Sequence, residues 1–481
     1  MAVKLIINGL LVSSEGDRTF VRKNPITGDI ACEAPAASVA DAKAAVTTAS
    51  AAFPNWSATS PSKRREILNA AADLMESRMD AFVQVATRET GATAGWIAFN
   101  VSLAANVLRE AAGLTTHVVG ETLPSFKPDS LSLIKRKARG VCLGIAPWNA
   151  PLILGTRAFA TAIACGNTAI LKASELCPET HLMIGQCLLD AGLPAGVLNV
   201  ITNAPEDAAT VVAALIQAPE VKHVNFTGST QVGRIIGRLA GEHLKPALLE
   251  LGGKAPMIIL QDADLDGAVD AAVFGCFMNQ GQICMSTERV IVEAQVADDF
   301  VARFAKRVSA LRVGDPRGDV ELGGLCTPGA ELKLQALIED ALSKGAQLVC
   351  GGSNDGALMQ ATLLDHVTPE MDIYRLESFG PVKSIIRVDG IEEAIRVAND
   401  TEYGLSSAVF SQSIVSAMYV ASKLETGICH INGPTVSDEP HTSFGGVKNS
   451  GFGRFGGQAG IQEFTDTQWL TIENPRQHYP I

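Results

Sequence analysis

Residues 140–147, GVCLGIAP, open the stretch that decides the fold. A short apolar run ending in Pro predicts a strand. PLILGTRAFATAIAC (151–165) then predicts one helix closed by Gly166 and Asn167, TAILKAS (168–174) a second strand, and PETHLMIGQCLLDAG (178–192) a helix with Pro178 in its first turn and Gly192 beyond its end. LNVIT (198–202), PEDAATVVAALIQ (205–217) and VKHVNFTG (221–228) run the cycle again. Regular alternation of strand and helix predicts a parallel, doubly wound α/β sheet of nucleotide-binding type.

The last turn of that unit carries the most information. After Gly228, the residues Val232, Ile235, Ile236 and Leu239 recur at helical spacing, so Ser229 and Thr230 stand where a strand ends and a helix begins. Free N–H groups and the helix dipole there would suit a diphosphate; simple N-capping by Ser229 would give the same local pattern. The run from Gly451 to Gly456 fits G-x-G-x-x-G literally, but no clear strand precedes it and no acidic residue follows at the right distance, so it reads as a turn. Gly228 and Gly233 have P-loop spacing with Arg234 where lysine is required, which removes the argument for phosphoryl transfer.

Outward from this region the chain is ordinary in composition. Its 481 residues suggest about three domains. Hydrophobic content of 47% and charged content of 19% describe a globular protein, and a net charge of −12 argues against nucleic acid and membrane surfaces. Ten cysteines show no C-x-x-C spacing and eight histidines form no H-x-x-x-H pair, so neither a metal site nor a disulfide framework is expected. The N-terminal MAVKLIINGLLVSS is too short and too polar at its flanks for a signal peptide, and reduced thiols place the expectation in the cytoplasm.

A second α/β region runs from about 253 to 448, with APMIIL, RVIVE, VKSIIRV, SSAVFS and GICHIN as strands and ADDFVARFAKRVSAL and KLQALIEDALSKG as helices. Cys284 falls in a loop between a helical stretch ending near Asn279 and RVIVE, 34 residues after Glu250. A thiol nucleophile and a carboxylate base suffice for covalent acyl chemistry if the fold brings them together near an oxyanion donor. A cysteine taken alone is more often a small buried hydrophobe.

Both segments, LELGGK (249–254) and GQIC (281–284), resemble signatures of the NAD(P)-dependent aldehyde dehydrogenase superfamily. PWN (147–149), KASE (172–175), FTGST (226–230), ESFGP (377–381) and FGGVK (444–448) follow its expected order, and the resemblance covers nearly the whole chain. It implies an aldehyde dehydrogenase-like fold: a Rossmann-type cofactor domain (1–119 and 140–252), an α/β catalytic domain (253–464) and a small β extension for subunit contacts (120–139 with 465–481), in a homodimer or homotetramer. It further implies Cys284 as nucleophile, Glu250 as activator of water, and Asn149 as oxyanion donor. For the cofactor it points to Trp148, Lys172, Ser174, Glu175, Gly228, Ser229, Thr230, Gly233, Leu251, Gly252, Glu377 and Phe379. Glu175 would accept from a ribose 2′-hydroxyl and repel a 2′-phosphate, which favours NAD, while Lys172 beside it leaves NADP tolerated. Many members carry a second glutamate after a Gly-Arg pair; here Phe455 follows Gly453-Arg454, so no proton path runs through that position.

For the substrate, Pro151 suits the first turn of a helix on which Ala150, Leu154 and Arg157 share one stripe, and Trp96, Asn100 and Leu103 share another on an earlier helix. Small Ala150 would leave room for a ring, Trp96 would stack on it, and Arg157 would donate to a ring hydroxyl or methoxy group; equally, Trp96 could be core and Arg157 a salt-bridge partner. Ile283, Met285 and Phe444 complete the expected substrate set. FNVSLAANVLREAAGLTT, QGQICMSTER, ICHINGPTV and the terminal RQHYPI look like the branch that oxidises vanillin, salicylaldehyde and benzaldehyde. The resemblance therefore implies a small hydroxylated benzaldehyde as substrate, vanillin first and salicylaldehyde second. A CoA-acylating enzyme would not need Glu250, and a non-catalytic structural protein would not need Cys284.

Overall fold

The computed structural model describes residues 3–476, 479 and 481; Met1, Ala2, Gln477, His478 and Pro480, and with them parts of the N-terminal apolar stretch and of the terminal RQHYPI, lie outside the described residues. The expected strands of the first unit form Val141–Ile145, Thr168–Lys172, Leu198–Ile201 and Val221–Thr227, joined by a fifth, Ala247–Glu250. In the sheet they lie in the chain order third, second, first, fourth, fifth, all parallel. This is a doubly wound sheet whose direction of winding reverses between Val141–Ile145 and Val221–Thr227, the place where such sheets bind ligands at the carboxyl ends of their strands.

Two features differ from expectation. The sheet is mixed at its edges, since Leu5–Ile7 pairs antiparallel with Leu198–Ile201, and Gly451–Phe452 pairs antiparallel with Ala247–Glu250. The run that mimics G-x-G-x-x-G thus becomes an edge strand beside Glu250. Gly451 has φ +111°, and a Cβ there would lie 1.8 Å from Leu249 O, so only glycine permits the pairing. The single helix expected over 151–165 is two, Pro151–Arg157 and Ala160–Ala164. The break has a physical cause: the Ala158 carbonyl accepts from Asn225 Nδ2 at 3.0 Å and crowds Gly144 of the neighbouring strand, which pulls it out of the helical ladder.

The second sheet holds Ala255–Ile259, Thr287–Glu293, Val382–Val388, Ser406–Phe410 and Ile428–Ile431 in parallel, with Thr362–Asp365 and an antiparallel Gln347–Cys350 at one edge. Leu251–Lys254 is the only chain between the last parallel strand of the first sheet and the first strand of the second. Apart from both sheets, Leu131–Ala138 pairs antiparallel along its whole length with Thr465–Ile472, and Glu121–Leu123 flanks it. Among the described residues no helix is long and apolar enough to cross a membrane.

Candidate active site

Glu250 ends its strand at the carboxyl edge of the first sheet, and Cys284 precedes Thr287, the first residue of a strand in the second. The turn between them forces the two together. A Cβ at Gly253 would lie 2.3 Å from Cys284 O, so the chain leaving Glu250 passes directly against the cysteine's own backbone. The cysteine loop is held from every side. Asn279 and Gln280 adopt φ of 49° and 55°, Ser286 N donates back to Ile283 O at 2.8 Å, Ser286 Oγ caps Gly275 O at 3.0 Å, and Thr435 Oγ1 donates to Met285 O at 2.6 Å. Left-handed backbone at two non-glycine residues is strain that the surrounding bonds must support, and such strain clusters at functional sites.

Asn149 arrives from the other side, two residues before the helix Pro151–Arg157. Its carbonyl accepts from Trp96 Nε1 (3.0 Å) and Asn279 Nδ2 (2.9 Å), and its Nδ2 donates to Gln282 O at 3.0 Å. An amide nitrogen carries two protons, so a second remains for a developing oxyanion beside Cys284.

Electrostatics set the resting protonation. Burial pushes the Cys284 thiol up to about 12, reinforced by Glu250, Glu377 and Asp438 and opposed by Arg157. Burial also pushes the Glu250 carboxyl well above the usual range, against Arg157 and Arg454, and neither of its buried oxygens has a hydrogen-bond partner among the described residues. The resting pair is therefore a thiol and a protonated carboxyl that offers one O–H and one carbonyl oxygen, with Gly445 close against it.

A cavity opens on Cys284 and Asn149. Trp96, Ala150, Leu154, Arg157, Ile283, Met285 and Phe444 all line it, as do Leu103, Phe99, Ile153, Phe274 and Val436 to Asp438. Asn100 does not: it is fully buried and donates to Trp96 O at 2.9 Å. Trp96 and Phe99 stack at 5.6 Å and form an aromatic wall. Arg157 is paired with Asp438 at 2.5 Å and lies 4.7 Å over the Phe444 ring.

The residues at the switch between strands fit a dinucleotide. Ser229 caps the helix Thr230–Glu242 through Val232 N, yet is itself exposed, and Thr230 is only half-buried, so the helix N-terminus stays accessible to a diphosphate. Gly233 packs on Leu251, and Gly228 N donates to Glu250 O at 2.9 Å; both shape the backbone. Lys172 and Glu175 form an ion pair, and Glu175 also accepts from Asn203 at 2.9 Å. Burial pushes this carboxyl up, but Lys172 outweighs it and holds Glu175 below its usual range, ionised and ready to accept from a ribose hydroxyl. Ser174 Oγ accepts from Leu176 N at 3.2 Å. Glu377 accepts from Gly253 N at 2.8 Å, Gly252 lies against the same carboxylate, and Trp148 meets Phe379 edge-on at 5.7 Å.

The aldehyde dehydrogenase family model matches residues 11–470. This chain belongs to that family. It is 56% identical over 480 residues to the vanillin dehydrogenase of Pseudomonas sp. (strain HR199 / DSM 7063), covering 100% of this chain and 99% of the relative. It is 39% identical over 460 residues to the benzaldehyde dehydrogenase [NAD(+)] of Pseudomonas putida, covering 95% and 94%. Its fold matches the crystal structure of a salicylaldehyde dehydrogenase from Pseudomonas putida G7 complexed with salicylaldehyde, with TM-score 0.99, 49% identity and 100% of each chain covered.

Several parts of this aldehyde dehydrogenase escaped sequence reasoning. Glu288 is buried with two lysines, Lys254 at 2.7 Å and Lys383 at 2.8 Å, and accepts from Ser378 N at 2.9 Å and Ser378 Oγ at 2.7 Å, so one charge cluster anchors the segment that presents Glu377 and Phe379. Strand alternation makes Glu288 look like one more polar residue. Asp438 and Arg454 also lie in irregular segments without a periodic signal. Phe455 is buried and bridges backbone to backbone with Phe444, with Arg157 6.0 Å over its ring. Elsewhere, Cys32, Glu89 and Glu179 approach one another, but Glu89 accepts from Glu179 N and Thr180 N at a helix start, and Glu179 pairs with Arg88.

Proposed function

We propose that this enzyme oxidises a hydroxylated benzaldehyde, vanillin first and salicylaldehyde second, to the carboxylic acid with NAD as oxidant. The observation that carries this reading is an aromatic-walled cavity ending on Cys284 and Asn149. The names of the relatives, vanillin, salicylaldehyde and benzaldehyde [NAD(+)] dehydrogenases, support the substrate class and the cofactor.

The residues perform the reaction in order. The ionised form of Glu250 takes the proton of Cys284, and the sulfur attacks the carbonyl carbon, giving a thiohemiacetal whose oxyanion is held by Asn149 Nδ2 and the cysteine N–H. NAD, when bound, accepts the hydride that this adduct releases. Glu250, having released its first proton to solvent, takes a proton from the water that attacks the resulting thioester and returns it to the departing Cys284 sulfur as the acid forms. Trp96 and Phe99 bear on the ring, and Trp96 also anchors Asn149.

We assign cofactor binding to 1–119 and 140–252, catalysis to 253–464, and subunit contacts to 120–139 with 465–481. Exposed Trp469, Leu470, Ile472 and Leu131 on the extension support a homodimer or homotetramer. Ten free cysteines fit a reducing cytoplasm. NADH formation with a panel of aromatic and aliphatic aldehydes, with and without coenzyme A, tests the whole reading: preference for aliphatic substrates or dependence on coenzyme A would overturn it.

A further inference from the structure

Asp438 lines the substrate cavity with Cys284 and Asn149. Its Oδ2 is taken by Arg157 at 2.5 Å, but its Oδ1 is buried and has no hydrogen-bond partner among the described residues. A buried acceptor left empty is costly, and few persist in folded proteins without a ligand or a task. The rest of the wall is largely apolar, with Phe99, Ile153, Leu154, Phe274 and Phe444 in it; Ser437 adds a neutral hydroxyl beside Asp438, and Trp96 Nε1 is committed to Asn149 O. Arg157, the obvious polar candidate, has its charge answered by Asp438 and its guanidinium laid over Phe444.

We propose that Asp438 Oδ1 accepts a hydrogen bond from a hydroxyl on the aromatic ring, so that this enzyme selects phenolic aldehydes as donors over their methyl ethers. The proposal rests on the aromatic substrate reading above and adds the polarity of the recognition: an acceptor in the wall meets a donor on the ring. Arg157 is then a positioning residue that holds the carboxylate by its other oxygen.

The test compares kcat/KM for ortho-, meta- and para-hydroxybenzaldehyde with the matching methoxybenzaldehydes and with benzaldehyde, in the wild type and in Asp438→Asn. Hydroxyl and methoxy groups donate electrons to the ring similarly, so their ratio reports chiefly on the donor and on size. At one ring position the wild type should prefer hydroxyl by about tenfold or more, the range of a hydrogen bond to a charged acceptor. In Asp438→Asn the amide oxygen stays with Arg157 and the NH2 turns to the cavity, so the ratio should fall to near one while benzaldehyde is still oxidised. Asparagine has the same shape, so a preference based on size alone would survive, and a ratio unchanged by the substitution overturns the proposal. Should Asp438→Asn fail to fold, the wild-type pH profile decides. The hydroxyl-to-methoxy ratio should fall as the substrate phenol ionises, because a phenolate facing a carboxylate is repelled; titration of Cys284 and Glu250 is common to both substrates and cancels. A ratio that rises would assign the ring oxygen to Arg157 and sink the idea. Oxidation of aliphatic aldehydes with none of the benzaldehydes would instead remove the aromatic reading, and this proposal with it.

Discussion

Replacing Glu288 by Gln is expected to damage stability and cofactor binding together, because one carboxylate pairs with two lysines and holds the Glu377 segment. Lys254 and Lys383 have fully buried side chains at 2.7 and 2.8 Å from Glu288. Removing the partner of a buried ion costs about 3–5 kcal/mol. Unfolding entropy of about 2.1 cal/mol/K per residue over 481 residues is about 1 kcal/mol/K, so Tm should drop by about 3–5 °C. The deficit should depend on pH. Burial already lowers the Lys254 ammonium below its usual range, with Glu288 opposing; without Glu288 it falls further. The unfolded lysine keeps its proton to about 10.4, so the unfolded state binds more protons across that window and the stability of the variant rises with pH. Thermal melts at about pH 6, 7.5 and 9 should show the deficit shrinking as pH rises. Glutamine keeps one acceptor oxygen of the two, so one of the bonds from Ser378 N and Ser378 Oγ is lost, and KM for NAD should increase more than kcat decreases. A Tm equal to wild type at the lowest pH, or a deficit that widens with pH, would refute the reasoning.

Cys284→Ala should abolish aldehyde oxidation and leave NAD binding by fluorescence titration intact; measurable turnover would remove the nucleophile assignment. Glu250→Gln should cut steady-state turnover by about 10²–10⁴ and, because Glu250 also takes the Cys284 proton, slow the first-turnover NADH burst; an unchanged steady rate would exclude it as base. Because folding holds Glu250 protonated above the pH at which the unfolded carboxyl ionises, wild-type stability should fall as pH rises from about 4.3, and the glutamine variant should lack that part of the slope in melts across pH. Glu377 is pushed up to about 7 by burial, so KM for NAD should rise as pH falls through that value and the carboxylate takes a proton; Glu377→Gln should flatten the profile. Trp96→Phe keeps a ring but loses the bond to Asn149 O, worth about 0.5–1.5 kcal/mol, so kcat should fall about two- to twelvefold for aromatic and aliphatic aldehydes alike, and an effect on aromatic KM alone would count against the anchoring role.

The order of strands and helices from Gly140 to Gly233, the loop position of Cys284 and the family were legible in the sequence, because alternation, helix-end residues and short motifs are local along the chain. The pairing of Leu131–Ala138 with Thr465–Ile472 was legible only through the resemblance, since no local pattern links segments so far apart. Tertiary structure alone decided the break at Ala158, which depends on an amide from Asn225, and the conversion of Gly451–Phe452 into an edge strand against Glu250. It alone withdrew Asn100 from the cavity and brought in Asp438, and it alone buried Glu288 between two lysines. In each case the outcome turns on which distant group fills a hydrogen bond or answers a charge, and that is fixed by packing across sheets and loops rather than by any spacing along the chain.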